Sequence, residues 1–279
     1  SRLGLWQNAE QPPSIYEPFA GAGVFLVSAL RHRREALPHA WDDGRRHDLL
    51  VQKIAGSEID SFACEVATLS LILADYPNRN GWKIDSTDLF KDGVLPGRLA
   101  GADIVLCNPP FEIFTAPERQ AYLDAAAISG AKAEAVLMLA LNAQPKALGF
   151  VLPRTFLMDR AYREHRKLIH SRFREVELVS LPDGVFSVSQ VESALLIARE
   201  PVEPGGRQTI RASEVYDRDR RSFRLSGVAS RTREESGIVP ERADGRLWIP
   251  PLGPLWRRLE AGRVVPLSTS PGSIESPVS

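Results

Sequence analysis

Short apolar runs alternate with amphipathic segments over most of the first 200 residues. The strand-like runs are residues 14–18, 51–59, 82–86, 102–107, 146–153, 175–182 and 192–199. Between them, apolar residues recur at helical spacing in residues 23–37, 61–76, 118–143 and 159–171. This repeated strand–helix order predicts an open, mostly parallel α/β sheet with right-handed connections. The last two strands are expected to close the sheet as a pair.

The pattern weakens after residue 200. The stretch PVEPGGRQ (201–208) is typical of a boundary, and the following residues are richer in Arg, Ser, Pro and Gly. Residues 255–270 predict a short helix and the start of a strand, whereas residues 268–279 have the composition of a linker. We therefore predict one domain over residues 1–200 and a less regular extension over residues 201–279.

Composition and charge are those of an ordinary globular protein: 43% of the 279 residues are apolar, 25% are charged, and the net charge is zero. No apolar run reaches the roughly 18 residues needed to cross a bilayer, and the N-terminus lacks the layout of a signal peptide. Two cysteines provide neither a disulfide framework nor metal-ligand spacing. We expect a cytoplasmic location, no membrane and no metal. The neutral charge does not exclude nucleic acid, because phosphate contacts need only a local basic patch.

The first predicted strand runs into a glycine turn and then a helix, in YEPFAGAGVFLVSAL (16–30). Gly21 and Gly23 would let a ligand approach the backbone, or they could simply make a tight turn. A dinucleotide is disfavoured because a third glycine is missing. The carboxylate of Glu17 would repel a phosphate, but it suits a cationic ligand that carries a sulfonium and an amino group. S-adenosylmethionine fits that description.

Acidic residues also stand at the ends of the second and third predicted strands. Glu58 could accept hydrogen bonds from both hydroxyls of a ribose, while Asp60 is the expected N-cap of the next helix. Asp88 could accept the exocyclic amine of an adenine, with Leu89 packing on the ring, or it could be only a turn residue. Together the three strand ends describe one crevice suited to an adenosine ligand.

The fourth predicted strand, residues 102–107, ends in Asn108, Pro109, Pro110 and Phe111. Prolines terminate a strand, but that role explains neither Asn108 nor Phe111. The Asn108 side-chain oxygen and the Pro109 carbonyl could accept both hydrogens of a planar NH₂ group. They would then stabilise the positive charge that develops on methylation, and the proline-stiffened turn would hold them in place beforehand. Phe111 offers a face for base stacking, worth about 1–3 kcal/mol.

Four motifs in this order resemble the N6-adenine DNA methyltransferases: EPFAGAG (17–23), SEID (57–60), STDLF (86–90) and NPPF (108–111). The order is similar to the subgroup with the cofactor motif first and the target-recognition domain last. The resemblance covers residues 14–200. It implies a Rossmann-like, seven-stranded S-adenosylmethionine-dependent methyltransferase sheet with helices on both faces. It also implies methylation of a flipped-out adenine in DNA, in a restriction-modification or phage-defence system.

The resemblance implies roles for particular residues. Cofactor contacts would come from Glu17, Phe19, Ala20, Gly21, Gly23, Glu58, Ile59 and Asp88. The target base would lie near Asn108, Pro109, Pro110 and Phe111. Residues 181–198 resemble a late segment of these enzymes. By that resemblance, Phe186 would stack on the far face of the target base; alternatively, it could be a core residue of a β-hairpin.

Three features depart from the family pattern. The first is Glu17, which stands where the family more often has aspartate. The second is the family segment that covers the methionine end of the cofactor, which is not recognisable in the 13 residues that precede Ser14. A sizeable target-recognition domain should follow the catalytic domain at residues 1–200, and residues 201–279 would lead toward it. We therefore expect a fragment of a longer or split enzyme, with DNA and a restriction or specificity subunit as partners.

Two alternatives stay open. An NPP-aromatic motif also serves methylation of glutamine amides in proteins and of guanine amines in ribosomal RNA, since these acceptors are planar NH₂ groups too. The chain could instead be a non-catalytic module that binds DNA or a partner and carries a vestigial cofactor pocket. Cytosine C5 methylation is disfavoured, because Cys107 precedes Asn108 on the strand and no Pro-Cys pair supplies a nucleophile.

Overall fold

The computed structural model describes residues 12–91, 93–116, 118, 130–157, 159–182, 184–185, 192–202, 209–226 and 232–237. The strands are β1 (Ile15–Pro18), β2 (Ile54–Glu58), β3 (Lys83–Ser86), β4 (Ile104–Cys107), β5 (Ala147–Pro153), β6 (Phe173–Ser180), β7 (Ser193–Pro201), β8 (Thr209–Val215) and β9 (Thr232–Gly237). The described α-helices are α1 (Val24–Ala36), α2 (Asp43–Lys53), α3 (Ser61–Ala74), α4 (Val94–Leu99), α5 (Lys132–Asn142), α6 (Arg163–Arg172) and α7 (Arg220–Ser226). None of them combines the length and apolar character that a membrane span requires.

The nine strands within the described residues form one sheet in the order β3-β2-β1-β4-β5-β7-β6-β8-β9. The strands β3, β2, β1, β4 and β5 are parallel to one another. Strand β7 is antiparallel to both β5 and β6, which confirms the closing pair. The mixed α/β fold predicted from the alternating pattern is therefore confirmed.

Helices cover both faces of the sheet. Because neighbouring residues of a strand point to opposite sides, each central strand contributes side chains to a core on each face. Ile104 of β4 packs in a core with α1, α2 and α3, whereas the next residue, Val105, packs in a second core with α4, α5 and α6. Ala147 and Leu148 of β5 divide between the two cores in the same way. This two-sided burial explains why the central strands are continuous apolar runs.

In the described part of the chain, the sheet has two more strands than the seven predicted. Strand β8 pairs in parallel with β6, from Glu175↔Thr209 to Ser180↔Glu214, and β9 pairs antiparallel with β8. The alternating residues Ile210 and Ala212 of β8 are buried and join the second core. Pairing satisfies the backbone groups along the edge of β6 that would otherwise be open.

Helix α2 is the main local difference from the sequence prediction. Residues 51–53, assigned to a strand, are the last turn of this helix, and the strand begins at Ile54. The side chain of Asp42 accepts the Arg45 N–H (2.8 Å) and so caps the helix start. Helix α4 was also missed. Of the helix predicted over residues 118–143, residues 132–142 form α5, and residues 119–129 lie outside the described part of the chain. The short helix and strand predicted over residues 255–270, and the linker predicted over residues 268–279, also lie outside it.

Candidate active site

The first four strands end at the same edge of the sheet, because they are parallel neighbours. Hydrogen bonds join the turns that follow them. The Ala20 N–H donates to the Ser57 carbonyl (2.9 Å), and the Thr87 N–H donates to the Glu58 carbonyl (2.8 Å). The structure therefore brings the four motifs together in one place, at the carboxyl edge where open α/β sheets bind ligands.

The two glycines of the first turn serve different purposes. Both have positive φ angles, 51° at Gly21 and 77° at Gly23. A Cβ atom at Gly23 would approach the Ala67 Cβ to 3.0 Å, so this position is restricted by the packing of α3. A Cβ atom at Gly21 would meet nothing within 4 Å. The space beside Gly21 is open to a ligand, whereas Gly23 is needed for the fold itself.

Glu17 is a buried carboxylate, 3% exposed, and its Oε2 atom has no hydrogen-bond partner within the described part of the chain. Burial raises its pKa well above the usual range; a hydrogen bond from the Leu26 backbone N–H opposes this pKa shift, and the charge of Glu58 adds to it. An unpaired buried carboxylate is costly, so a cation placed beside it would be stabilised. The residue thus fits the positively charged end of S-adenosylmethionine.

Glu58 connects the first turn with the second. Its Oε2 accepts the Gly21 N–H (2.8 Å), and its Oε1 accepts the N–H groups of Ile59 (2.9 Å) and Asp60 (3.1 Å). The side chain is half-buried, and Oε2, which accepts a single N–H, has a second lone pair available for a ribose hydroxyl. Asp60 accepts the N–H groups of the first turn of α3, as predicted for an N-cap. Ile59 is 63% exposed beside it.

In the third turn, the neighbouring residues Asp88 and Leu89 differ in burial. Asp88 is exposed, and its Oδ1 accepts the Phe90 N–H (3.0 Å), which is a turn-forming contact. Leu89 is 2% exposed and packs in the second core, so its side chain faces the sheet. Phe90 instead stacks on Phe19, with ring centroids 5.2 Å apart. The aromatic surface of this turn therefore comes from Phe90, a residue that was not selected from the sequence.

The segment after β4 exposes one polar side chain among buried ones. Asn108 is exposed, and none of the described residues forms a hydrogen bond with its side chain. Pro109 is buried, and Pro110 and Phe111 are half-buried. The amide of Asn108 therefore stays open to a ligand while the adjacent proline is held by packing.

Cys107 lies directly before this segment and is fully buried. Burial, with a smaller contribution from the charge of Glu17, raises the pKa of its thiol well above the usual range. The Sγ atom donates to the Pro18 carbonyl at 3.8 Å. Because the thiolate is the nucleophile in cysteine chemistry, this buried thiol cannot act as one.

An aromatic cluster beside the four turns was missed by the sequence analysis. The ring of Phe114 meets Phe90 edge-on at 5.2 Å, and Phe90 stacks on Phe19, which has a φ angle of 60°. Lys132 Nζ lies over two of these three rings, 5.3 Å from the centroid of Phe90 and 5.9 Å from that of Phe114. These residues come from separate turns, so no spacing in the sequence connects them. Phe186, the predicted second stacking residue, lies outside the described residues.

The sequence matches the N-6 DNA methylase family model over residues 4–225, and no curated protein matches the chain. Among solved structures, the ATP-dependent Type ISP restriction-modification enzyme LlaBIII bound to DNA has a TM-score of 0.62 at 12% identity, over 84% of this chain and 20% of that one. The type I restriction-modification system methyltransferase subunit from Streptococcus thermophilus has a TM-score of 0.55 at 18% identity, over 76% and 44%. The M protein of the type I restriction enzyme EcoKI has a TM-score of 0.54 at 16% identity, over 76% and 46%. At these identities the likeness shows a shared fold, and the chain spans less than two thirds of each structure.

Proposed function

This chain belongs to the N-6 DNA methylase family, and from that membership and the site geometry we propose that it methylates the exocyclic N6 amine of a flipped-out adenine in DNA. The methyl donor is S-adenosylmethionine. One observation supports the proposal: the neighbouring parallel strands β1 and β4 end at the same edge of the sheet, the unpaired carboxylate of Glu17 lies near the end of β1, and the exposed side chain of Asn108 directly follows β4. The first suits a cationic donor, and the second suits an amine acceptor.

Residues of three turns would hold the cofactor. Glu17 would pair with its cationic amino-acid end, Glu58 with the ribose hydroxyls, and Asp88 with the adenine amine. The remaining contacts are proposed for Phe19, Ala20, Gly21, Gly23 and Ile59. When bound, the cofactor supplies an electrophilic methyl group on a sulfonium sulfur. Leu89, which was expected to pack on the adenine ring, is buried in the second core, and we propose that it supports from within the turn that would hold this ring.

Asn108 and Pro109 would bind the acceptor amine. The Asn108 side-chain oxygen and the Pro109 carbonyl each accept one N–H of the adenine N6 group, which orients its lone pair toward the methyl donor. As the N–C bond forms and the S–C bond breaks, positive charge develops on N6, and these two oxygens stabilise it. N6 then loses one proton to solvent. Phe111, with Pro110 beside it, would stack against the base, and Phe186 is proposed for its other face.

We also propose that DNA is recognised with the help of another domain or subunit in a restriction-modification or phage-defence system. Two of the similar structures are described as a methyltransferase subunit and an M protein of type I restriction enzymes. A third is described as an enzyme bound to DNA. Because the chain spans less than two thirds of each, the part that selects the DNA sequence is proposed to lie outside residues 1–200.

The proposal is tested by methyl transfer from radiolabelled S-adenosylmethionine to three acceptors offered separately: genomic DNA lacking N6-methyladenine, ribosomal RNA and total protein. We expect label in DNA, recovered as N6-methyl-2′-deoxyadenosine by nucleoside mass spectrometry, and at least about 100-fold less label with Asn108→Ala. Label in RNA or protein alone would replace DNA with one of the other planar amines. If calorimetry with the full-length protein detects no S-adenosylmethionine binding, the chain is a non-catalytic module and the proposal is wrong.

A further inference from the structure

Lys132, the first residue of α5, has an unusual environment for a lysine near the surface. Its side chain is only 14% exposed. The Nζ atom contacts Glu112 Oε2 (2.9 Å) and lies 3.7 Å from Glu118 Oε1. The same ammonium lies over the rings of Phe90 and Phe114. One cation therefore contacts side chains from both the third turn and the segment that follows residues 108–111.

The backbone joins this segment to the start of α5 as well. The Lys132 N–H donates to the Glu112 carbonyl (2.9 Å), and the Phe114 N–H donates to the Gly130 carbonyl (2.9 Å). Between these two bonds, Ile113 forms an antiparallel bridge with Ala131. The segment immediately after the NPPF motif is thus held on the helix by both backbone and side-chain contacts.

A line of ring contacts continues from this segment to the cofactor turns. Phe114 meets Phe90 edge-on, and Phe90 stacks on Phe19 of the first turn. The N–H of Phe90 is bound by Asp88, a proposed cofactor residue. Displacement of Phe114 would therefore alter the surroundings of both Phe90 and Asp88.

We propose that Lys132 is a positioning residue for methyl transfer, which holds residues 108–114 at a set distance from the first and third turns. This inference rests on the proposed function, because that distance separates the amine acceptors from the methyl donor. Lys132 is assigned no contact with substrate or cofactor. Catalysis by proximity is sensitive to displacements of about 1 Å, which can reduce a rate by about 100-fold.

The ion pairs keep Lys132 charged. Desolvation alone would lower its pKa, but the carboxylates of Glu112 and Glu118 outweigh it, so the pKa is raised. Lys132→Met keeps the unbranched apolar stem and removes the charge, whereas Lys132→Arg keeps the charge. Lys146 provides a matched control, because its Nζ atom also pairs with a carboxylate, Asp103 Oδ1 at 2.8 Å, at the opposite edge of the sheet.

The experiment measures steady-state methylation, cofactor affinity by calorimetry and amide hydrogen exchange of residues 108–116 in these three variants and the wild type. For Lys132→Met we expect kcat to fall by about 10- to 100-fold, with the cofactor Kd and the DNA KM changed by less than about threefold. Exchange in residues 108–116 should be faster than in the wild type. Lys132→Arg should keep slow exchange and most of kcat, and Lys146→Met should match the wild type in all three measurements.

The outcomes separate this inference from the proposed function. Unchanged exchange in Lys132→Met overturns the inference even if methylation is normal in the wild type. Faster exchange with unchanged kcat also overturns it, because Lys132 would then hold residues 108–114 in the wild type without affecting the reaction rate. A wild type that binds no cofactor and methylates no DNA overturns the proposed function and this inference together. If Lys132→Met fails to fold, Lys132→Arg decides: it must retain slow exchange and most of kcat.

Discussion

Glu17→Gln is expected to stabilise the ligand-free protein while it weakens cofactor binding. The substitution keeps the shape of the side chain and its ability to accept the Leu26 N–H, but it removes the buried charge. In the wild type, Oε2 of Glu17 has no hydrogen-bond partner within the described residues, and the side chain is 3% exposed. A buried polar group without a partner costs about 1–3 kcal/mol, and more when it is charged.

The direction of the pH dependence follows from the raised pKa. The folded-state pKa of Glu17 lies above its unfolded value, so the folded protein binds the proton more tightly than the unfolded chain. The corresponding stability is fully present below the unfolded pKa and is lost as the pH rises through the folded pKa. Glu17→Gln should therefore gain little at about pH 5 and gain most under alkaline conditions. At about 2–4 °C per kcal/mol, a cost of about 1–3 kcal/mol corresponds to a gain of roughly 2–12 °C in Tm.

The assay is thermal unfolding of both proteins across this pH range, with and without S-adenosylmethionine. Cofactor at about 100 times its Kd should stabilise the wild type by about 2.7 kcal/mol and Glu17→Gln by much less. Asp75→Asn is a control of opposite sign, because Oδ2 of the buried Asp75 accepts from His47 Nδ1 (2.5 Å) and its Oδ1 lies 3.4 Å from Arg34 Nη1. Its loss should destabilise the protein, since it removes one partner from a buried pair.

Two results would contradict this account of Glu17. A Glu17→Gln protein no more stable than the wild type under alkaline conditions would mean that the carboxylate has a partner in solution. Equal stabilisation of both proteins by S-adenosylmethionine would mean that the cofactor does not use the charge at this position.

Three further substitutions test the other parts of the site. Asn108→Ala should lower kcat by about 100- to 1,000-fold with the cofactor Kd changed only a few-fold in calorimetry; lost cofactor binding would show that the residue is misassigned. Glu58→Ala should weaken cofactor binding by about 10- to 100-fold, because hydrogen bonds to a charged group contribute about 1.5–3 kcal/mol; an unchanged Kd would remove its ribose role. Phe111→Ala should reduce kcat/KM by a factor corresponding to about 1–3 kcal/mol of stacking, and Phe111→Tyr and Phe111→Trp by less; equal losses in all three would argue against stacking.

The order of the helices and strands was predictable because each is indicated by a local pattern of apolar and polar residues. Buried strands such as β4 and β5 appear as apolar runs, and α3 appears as a helical repeat that begins after the capping residue Asp60. The motifs at strand ends were predictable for the same reason, since the carboxyl ends of parallel strands must lie at one edge of a sheet. Helix α2 was missed because its apolar positions are few and its last turn runs directly into β2.

The sequence by itself therefore determined the α/β architecture, the family resemblance and the polar groups offered to a ligand. Only the tertiary structure decided how those groups are paired. The Gly21 amide is bound by Glu58, 37 residues away, whereas Glu17 Oε2 has no partner in the part of the chain that the structure describes. Periodicity reports which face of an element is buried, but it carries no information about which distant side chains meet. The cluster of Phe19, Phe90, Phe114 and Lys132 depends on such meetings, and so only the folded chain shows it.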